Sequence, residues 1–98
     1  MLFAVICEDK PDALELRMAT RAAHLDYIDA QAAIVVQGGP MLDAGGKPCG
    51  SLLLLDLPDE AAAQRFAAED PYAKAGLFAK VTVRAFRQVF AGGARVGG

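Results

Sequence analysis

Four short apolar segments alternate with two stretches of helical period, in the order strand, helix, strand, strand, helix, strand. That order leaves few folds open. Leu2–Cys7 is a continuous apolar run ended by Glu8-Asp9-Lys10-Pro11, so it reads as a central or doubly covered strand. Pro11 and Asp12 open a helix, with Asp12 or Asp9 as its cap. Leu14, Met18, Ala22, Leu25, Ile28 and Ala32 then recur at spacings of three and four, one apolar stripe running to about Ala32. Ile34-Val35-Val36 reads as a second strand, stopped by Gly38-Gly39-Pro40. The turn residues between Met41 and Pro48 make a hairpin to a third strand at Gly50–Leu55. Pro58-Asp59-Glu60 starts a second helix with acids in its first turn and Ala62, Ala63, Phe66 and Ala67 on its apolar side. Pro71 ends that helix near Glu69. Tyr72–Phe78 reads as a loop or short turn, Val81–Phe86 as the last strand, and the glycine-rich residues 91–98 as a flexible tail.

This order is the split βαβ pattern of an α+β, ferredoxin-like fold, βαββαβ, occupying residues 1–90 as one domain. Two right-handed crossovers place both helices on one face of a four-stranded antiparallel sheet. A chain of 98 residues buries about 65% of its unfolded surface. Its hydrophobic fraction of 54% overstates the core, because 20 of the residues are alanine. The first and third strands are apolar at nearly every position, so neither sheet face is made for water. The uncovered face is expected to pair with a second copy, sheet against sheet, in a homodimer.

Several classes drop out. No apolar run approaches the roughly 20 residues that span a bilayer, and no basic region precedes Leu2–Cys7 as in a signal peptide. A net charge of -2 without a basic run argues against nucleic acid as a partner. Cys7 and Cys49, without an export signal, fit a reduced cytoplasmic protein. No cysteine or histidine pair has metal-ligand spacing, and no dinucleotide or phosphate loop is present, so no metal or cofactor is expected.

The residues able to do chemistry are few. Arg17, Arg21, His24 and Ile28 share one stripe of the first helix, and the like charges at Arg17 and Arg21 would be relieved by a nearby anion. A solvated face balanced by Glu15, Asp26 and Asp29 is the alternative for the arginines. His24 is the only histidine and can give or take a proton near neutral pH. Asp70 sits at the negative end of the second helix. There it either holds local backbone N–H groups or waits for a cationic partner. With both helices on one sheet face, His24 and Asp70 can meet. Gly50-Ser51 reads as a strand start, with a pocket hydroxyl as the other reading, and Cys7 as buried and inert.

Arg17-x-x-x-Arg21-x-x-His24-x-x-Tyr27, then Gly39-Pro40, Gly50-Ser51, Asp70-Pro71-Tyr72 and Gly76-Leu77-Phe78, resembles the YciI-like (YCII-related) family from Phe3 to about Phe86. The resemblance implies a ferredoxin-like fold, dimerisation as an α+β barrel, and an active site centred on His24 and Asp70. Some relatives are dehydrochlorinases of aromatic-ring compounds. Phe86 stands where relatives often carry tryptophan, and the tail lies outside the resemblance. The implied function is cofactor-independent lyase or isomerase chemistry on a small anionic or aromatic ligand held by Arg17, Arg21, Gly39, Ser51 and Tyr72. The same residues also fit a non-catalytic small-molecule-binding or accessory protein, or a buried pair that only ties the two helices together.

Overall fold

The structure, a computed structural model, describes residues 1–98. β1 (Leu2–Asp9), α1 (Leu14–Asp29), β2 (Val35–Leu42), β3 (Pro48–Asp56), α2 (Glu60–Glu69), a four-residue α3 (Pro71–Lys74) and β4 (Phe78–Phe86) follow one another. A small hairpin, β5 (Phe90–Ala91) and β6 (Ala94–Arg95), closes the chain. The main sheet has the order β2-β3-β1-β4 and every pairing in it is antiparallel. This is the ferredoxin-like α+β arrangement that the element order implies, with the apolar β1 in the interior of the sheet.

Side chains alternate across β1, so Phe3, Val5 and Cys7 face the helices. They meet Leu53 and Leu55 of β3, Val83 of β4, and Ala63, Phe66 and Ala67 of α2 in one buried cluster. Asp59 caps α2 by accepting from the Ala62 N–H at 2.8 Å. The alanines of α2 let that helix sit close on the sheet.

Two local expectations fail. The segment Gly38-Gly39-Pro40 does not end the second strand. It lies inside β2, opposite Leu53, Leu52 and Ser51. β2 is an edge strand, so the missing N–H of Pro40 costs the sheet nothing there, and a side chain at Gly38 would run into Leu53. α1 starts at Leu14 rather than Pro11, with Ala13 as an N-cap that offers no side-chain hydrogen bond. Neither Asp12 nor Asp9 caps it.

The larger difference concerns what α1 buries. Its buried residues are Arg17 and His24, whereas Met18 is 53% and Leu25 38% exposed. The apolar stripe at 18, 25 and 28 lines a cavity between α1 and the β2–β3 half of the sheet. Only Tyr27 and Ile28 of this helix reach the main cluster. The segment Tyr72–Phe78 is also more ordered than a loop, since its first residues form α3 and its last begins β4.

On the opposite sheet face, Leu2, Ala4 and Ile6 of β1 lie beside Leu52 and Leu54 of β3 and Phe86 of β4. Leu52 and Phe86 are about half exposed. A second hollow of about 440 Å³ lies on this face, against Leu52, Leu54 and Phe86.

Two outcomes follow from this division. Leu55→Ala should lower the free energy of unfolding by about 2–5 kcal/mol in urea titration, and Met18→Ala by less than about 1 kcal/mol. Equal losses would mean that the α1 stripe is core after all. Burial, reinforced by the negative charges of Asp70 and Asp9, pushes the Cys7 thiol up to about 12. At pH 8 a thiol reagent should therefore modify only the exposed Cys49 in the folded protein, and both cysteines after unfolding.

Candidate active site

The polar face of α1 reaches the sheet through Arg17. Continuing the alternation of β1 past Cys7 brings Asp9 to the helix side, and the same alternation in β3 brings Ser51 there beside Leu53 and Leu55. Arg17 Nη1 donates to Asp9 Oδ1 and Oδ2 at 3.2 and 3.3 Å. Its Nη2 donates to the Gly50 carbonyl at 2.7 Å and to Ser51 Oγ at 2.6 Å. Burial raises the Asp9 carboxyl above its usual range, and the Arg17 guanidinium only partly opposes this. Arg17 is only 4% exposed, so the solvated-face reading fails for it. It holds for Arg21, which is exposed, forms no ion pair, and lines the cavity.

Two turns further along α1, His24 meets Asp70. Nδ1 lies 2.9 Å from Asp70 Oδ1 and 3.0 Å from Oδ2. Asp70 ends α2 and caps α3, where its Oδ1 accepts from the Tyr72 N–H at 2.9 Å. The two roles weighed for Asp70, turn device and acid for a cationic partner, are thus filled by one carboxylate. The start of α3 also presents backbone N–H groups to that carboxylate, which offsets its poor position at the C-terminus of α2. Against a carboxylate, Nδ1 is the donor, and the neutral imidazole then carries its lone pair on Nε2. Nε2 has no hydrogen-bond partner in the chain and is not sealed from solvent, and His24 lines a cavity.

Tyr72 is held by both polar residues of α1. Its ring stacks on His24 with centroids 4.1 Å apart and planes 16° from parallel, and Arg17 Cζ lies 4.6 Å from the same centroid. Groups of that thickness cannot share one face, so the phenol is clasped between imidazole and guanidinium. The ring edge meets Phe78. Tyr27, part of the same sequence pattern, donates to the Phe66 carbonyl at 2.8 Å and ties α1 to α2.

These groups form one wall of a cavity of about 290 Å³. Arg17, Arg21, His24, Gly39, Ser51 and Tyr72 all line it, and Asp70 stands behind His24. Ser51 lies inside β3 rather than at a strand start. The lining contains two arginines and no carboxylate, which favours an anion. The rest of its lining includes the apolar Met18, Leu25, Ile28, Val35 and Leu53. Nowhere in the fold do three or more His, Cys, Asp or Glu side chains gather to hold a metal ion.

Sequence reasoning missed Asp9 as the partner of Arg17, although its parity with Phe3, Val5 and Cys7 carried the signal. It also missed that Met18 and Leu25 belong to the cavity. Arg17 and His24, seven residues apart on one face, were the available hint, because a helix that turns an arginine inward cannot seat its apolar stripe fully.

Comparison with known proteins bears on the family and the fold. A family model for the YCII-related domain matches residues 1–87. The chain is 33% identical over 102 aligned residues to the protein YciI of Escherichia coli O6:H1, covering 92% of this chain and all of that one. Among solved structures, 5-chloro-2-hydroxyhydroquinone dehydrochlorinase (TftG) from Burkholderia phenoliruptrix, in complex with 2,5-dihydroxybenzoquinone, superposes with a TM-score of 0.86. It is 34% identical, over 90% of this chain and 95% of that chain. An antibiotic biosynthesis monooxygenase, 16% identical with a TM-score of 0.51 over 86% of this chain and 94% of its own, shares the fold alone. The chain belongs to the YCII-related family.

Proposed function

We propose that the cavity is a cofactor-independent acid–base site, of lyase or isomerase type, acting on a small, anionic, oxygenated ring. The observation that carries this reading is His24. Its Nδ1 is fixed on the Asp70 carboxylate at 2.9 and 3.0 Å, while Nε2 is left without a partner and the residue lines the cavity. A base oriented in this way by a carboxylate is what general acid–base catalysis requires. Similarity to a dehydrochlorinase that binds a dihydroxyquinone supports the substrate class.

In the elimination, Nε2 takes a proton from the ligand and becomes imidazolium, which Asp70 stabilises. The electron pair released into the ring expels the leaving group with its bonding electrons, so one equivalent of acid is lost and nothing is oxidised or reduced. In an isomerisation the same imidazolium returns the proton to a different atom. Arg21 supplies an uncompensated positive charge at the site, and the apolar wall of Met18, Leu25 and Ile28 packs on the ring face. Arg17 already binds Asp9, Gly50 and Ser51, so its share is to hold the wall in place.

The open sheet face supports a homodimer. It carries Leu2, Ala4, Ile6, Leu52, Leu54 and Phe86, and Gly39 and Pro40 of β2 line both its hollow and the acid–base cavity. Covering that face would bury half-exposed Leu52 and Phe86 and steady the β2 wall of the site.

Chloride release from 5-chloro-2-hydroxyhydroquinone tests the chemistry. The wild-type protein should release chloride, and His24→Asn should be slower by about 100-fold or more. Its affinity for 2,5-dihydroxybenzoquinone should stay within about threefold and its melting temperature nearly constant. Binding without turnover by either protein would favour a binding or accessory role. A large loss of stability with unchanged ligand affinity would favour a purely structural pair. Sedimentation at micromolar concentration should give twice the chain mass, and Leu52→Lys should shift it to the monomer. A wild-type monomer would contradict the pairing of sheet faces.

A further inference from the structure

The hairpin after β4 is folded yet barely packed on the rest of the domain. Gly92 and Gly93 have φ of +60° and +79°, the left-handed pair that a tight two-residue turn between Ala91 and Ala94 requires. The Val89 carbonyl accepts from the Val96 N–H at 2.7 Å and closes the base. β5 and β6 pack on each other and make no comparable contact with any other element. Phe90 is 68% and Val96 57% exposed. A lone two-stranded hairpin is marginal in water, so one that carries two bare apolar side chains calls for a surface to rest on. Residues 88–98 also lie outside the YCII-related domain.

The hairpin is also basic. Arg87 and Arg95 are exposed and form no ion pair, and no acid lies between Arg87 and the end of the chain. The opposite imbalance sits at the end of α1. Asp26 and Asp29 are exposed and unpaired there, at the negative end of the helix dipole, and no basic residue stands in the last turn. The half-exposed Val36 follows at the start of β2. Register places both features at one end of the sheet, since Phe86 pairs with Leu2, Leu2 with Asp56, and Val35 with Leu55. Within one chain they lie on opposite edges, because the order β2-β3-β1-β4 sets β2 and β4 about 14 Å apart.

Pairing of the open sheet faces about a twofold axis brings these edges together. An axis across the strands would lay β4 on its own copy, with Lys80 and Arg84 of the open face against the same two residues. An axis along the strands lays β4 over the partner's β2 instead, where Gln37, Gly39 and Met41 of that face carry no charge. Resting on the homodimer reading, we propose that the β5–β6 hairpin is an arm that crosses to a second copy of the chain. It sets Arg87 and Arg95 against Asp26 and Asp29 of the partner subunit, and Phe90 against Val36 of the partner subunit. Ile28 and Val35, at the same end of α1 and β2, line the acid–base cavity, so each copy's arm braces the other's site.

Sedimentation over a range of concentrations tests the arm through a charge exchange. One full-length variant carries Arg87→Glu with Arg95→Glu, the other Asp26→Lys with Asp29→Lys. Each alone should dimerise about tenfold or more weakly than wild type, because its arm meets like charge. An equal mixture should recover near-wild-type association, since only the mixed dimer matches both arms. Failure of the mixture to recover, or variants that each dimerise within about twofold of wild type, would overturn the proposal. A second measurement uses the absence of tryptophan from the chain. Phe90→Trp should emit as a buried indole in the dimer and as an exposed one when Leu52→Lys is added. An indole buried in both would mean that the arm folds on its own chain, and one exposed in both that it touches nothing; either result overturns the proposal. If the wild-type protein is a monomer, the arm falls together with the homodimer. If it is a dimer that ignores the charge reversals, the arm alone falls.

Discussion

Helix α1 is fastened to the sheet by an arginine, and the rest of the site depends on that choice. A hydrophobic helix settles on a sheet until its side chains interlock. Arg17 instead reaches across to Asp9, the Gly50 carbonyl and Ser51, and its length sets the separation. Met18, Leu25 and Ile28 therefore face an open cavity rather than a core. The arrangement tolerates a buried cation because each partner is satisfied and no buried polar side-chain atom is left over. Removing one member of such a buried pair typically costs about 3–5 kcal/mol, so the clasp is all-or-none.

The division of labour between the two helices follows. α2, with Ala63, Phe66 and Ala67, forms the compact half of the core over β1 and β4. α1 gives up packing to hold a row of polar side chains, and specific bonds tie it down: Arg17 to β1 and β3, His24 to Asp70, and Tyr27 to Phe66. Asp70 shows the economy of the design. One carboxylate caps α3 and orients His24, so the position of the acid is fixed by local backbone geometry and not by the histidine alone. The short α3 in turn places Tyr72 against both polar residues of α1.

Much of the fold was legible because the apolar segments were long and their order restrictive. The order of β1, α1, β3 and α2 followed from period and topology, which also allowed His24 and Asp70 to meet on one sheet face; their pairing as a site was implied by the family resemblance. β2 was cut short because glycine and proline punctuate most strands; only its place at the sheet edge explains why Gly38-Gly39-Pro40 continues the ladder. The role of α1 was misread for a different reason. Periodicity reports which residues share a stripe, not whether the stripe meets protein or empty space, and a cavity wall has the same pattern as a core. Asp9 was given to helix capping because it precedes a helix, while its strand parity pointed to Arg17.

The central claim is that Asp70 fixes His24, which lines the cavity, in the tautomer whose Nε2 is a free base. Nitrogen-15 NMR of the labelled imidazole, at a pH where it is neutral, reads this directly. The expected result is a protonated, hydrogen-bonded Nδ1 and an unprotonated Nε2, with the Nδ1 signal losing its hydrogen-bonded character in Asp70→Asn. A proton found on Nε2 in the wild-type protein would contradict it.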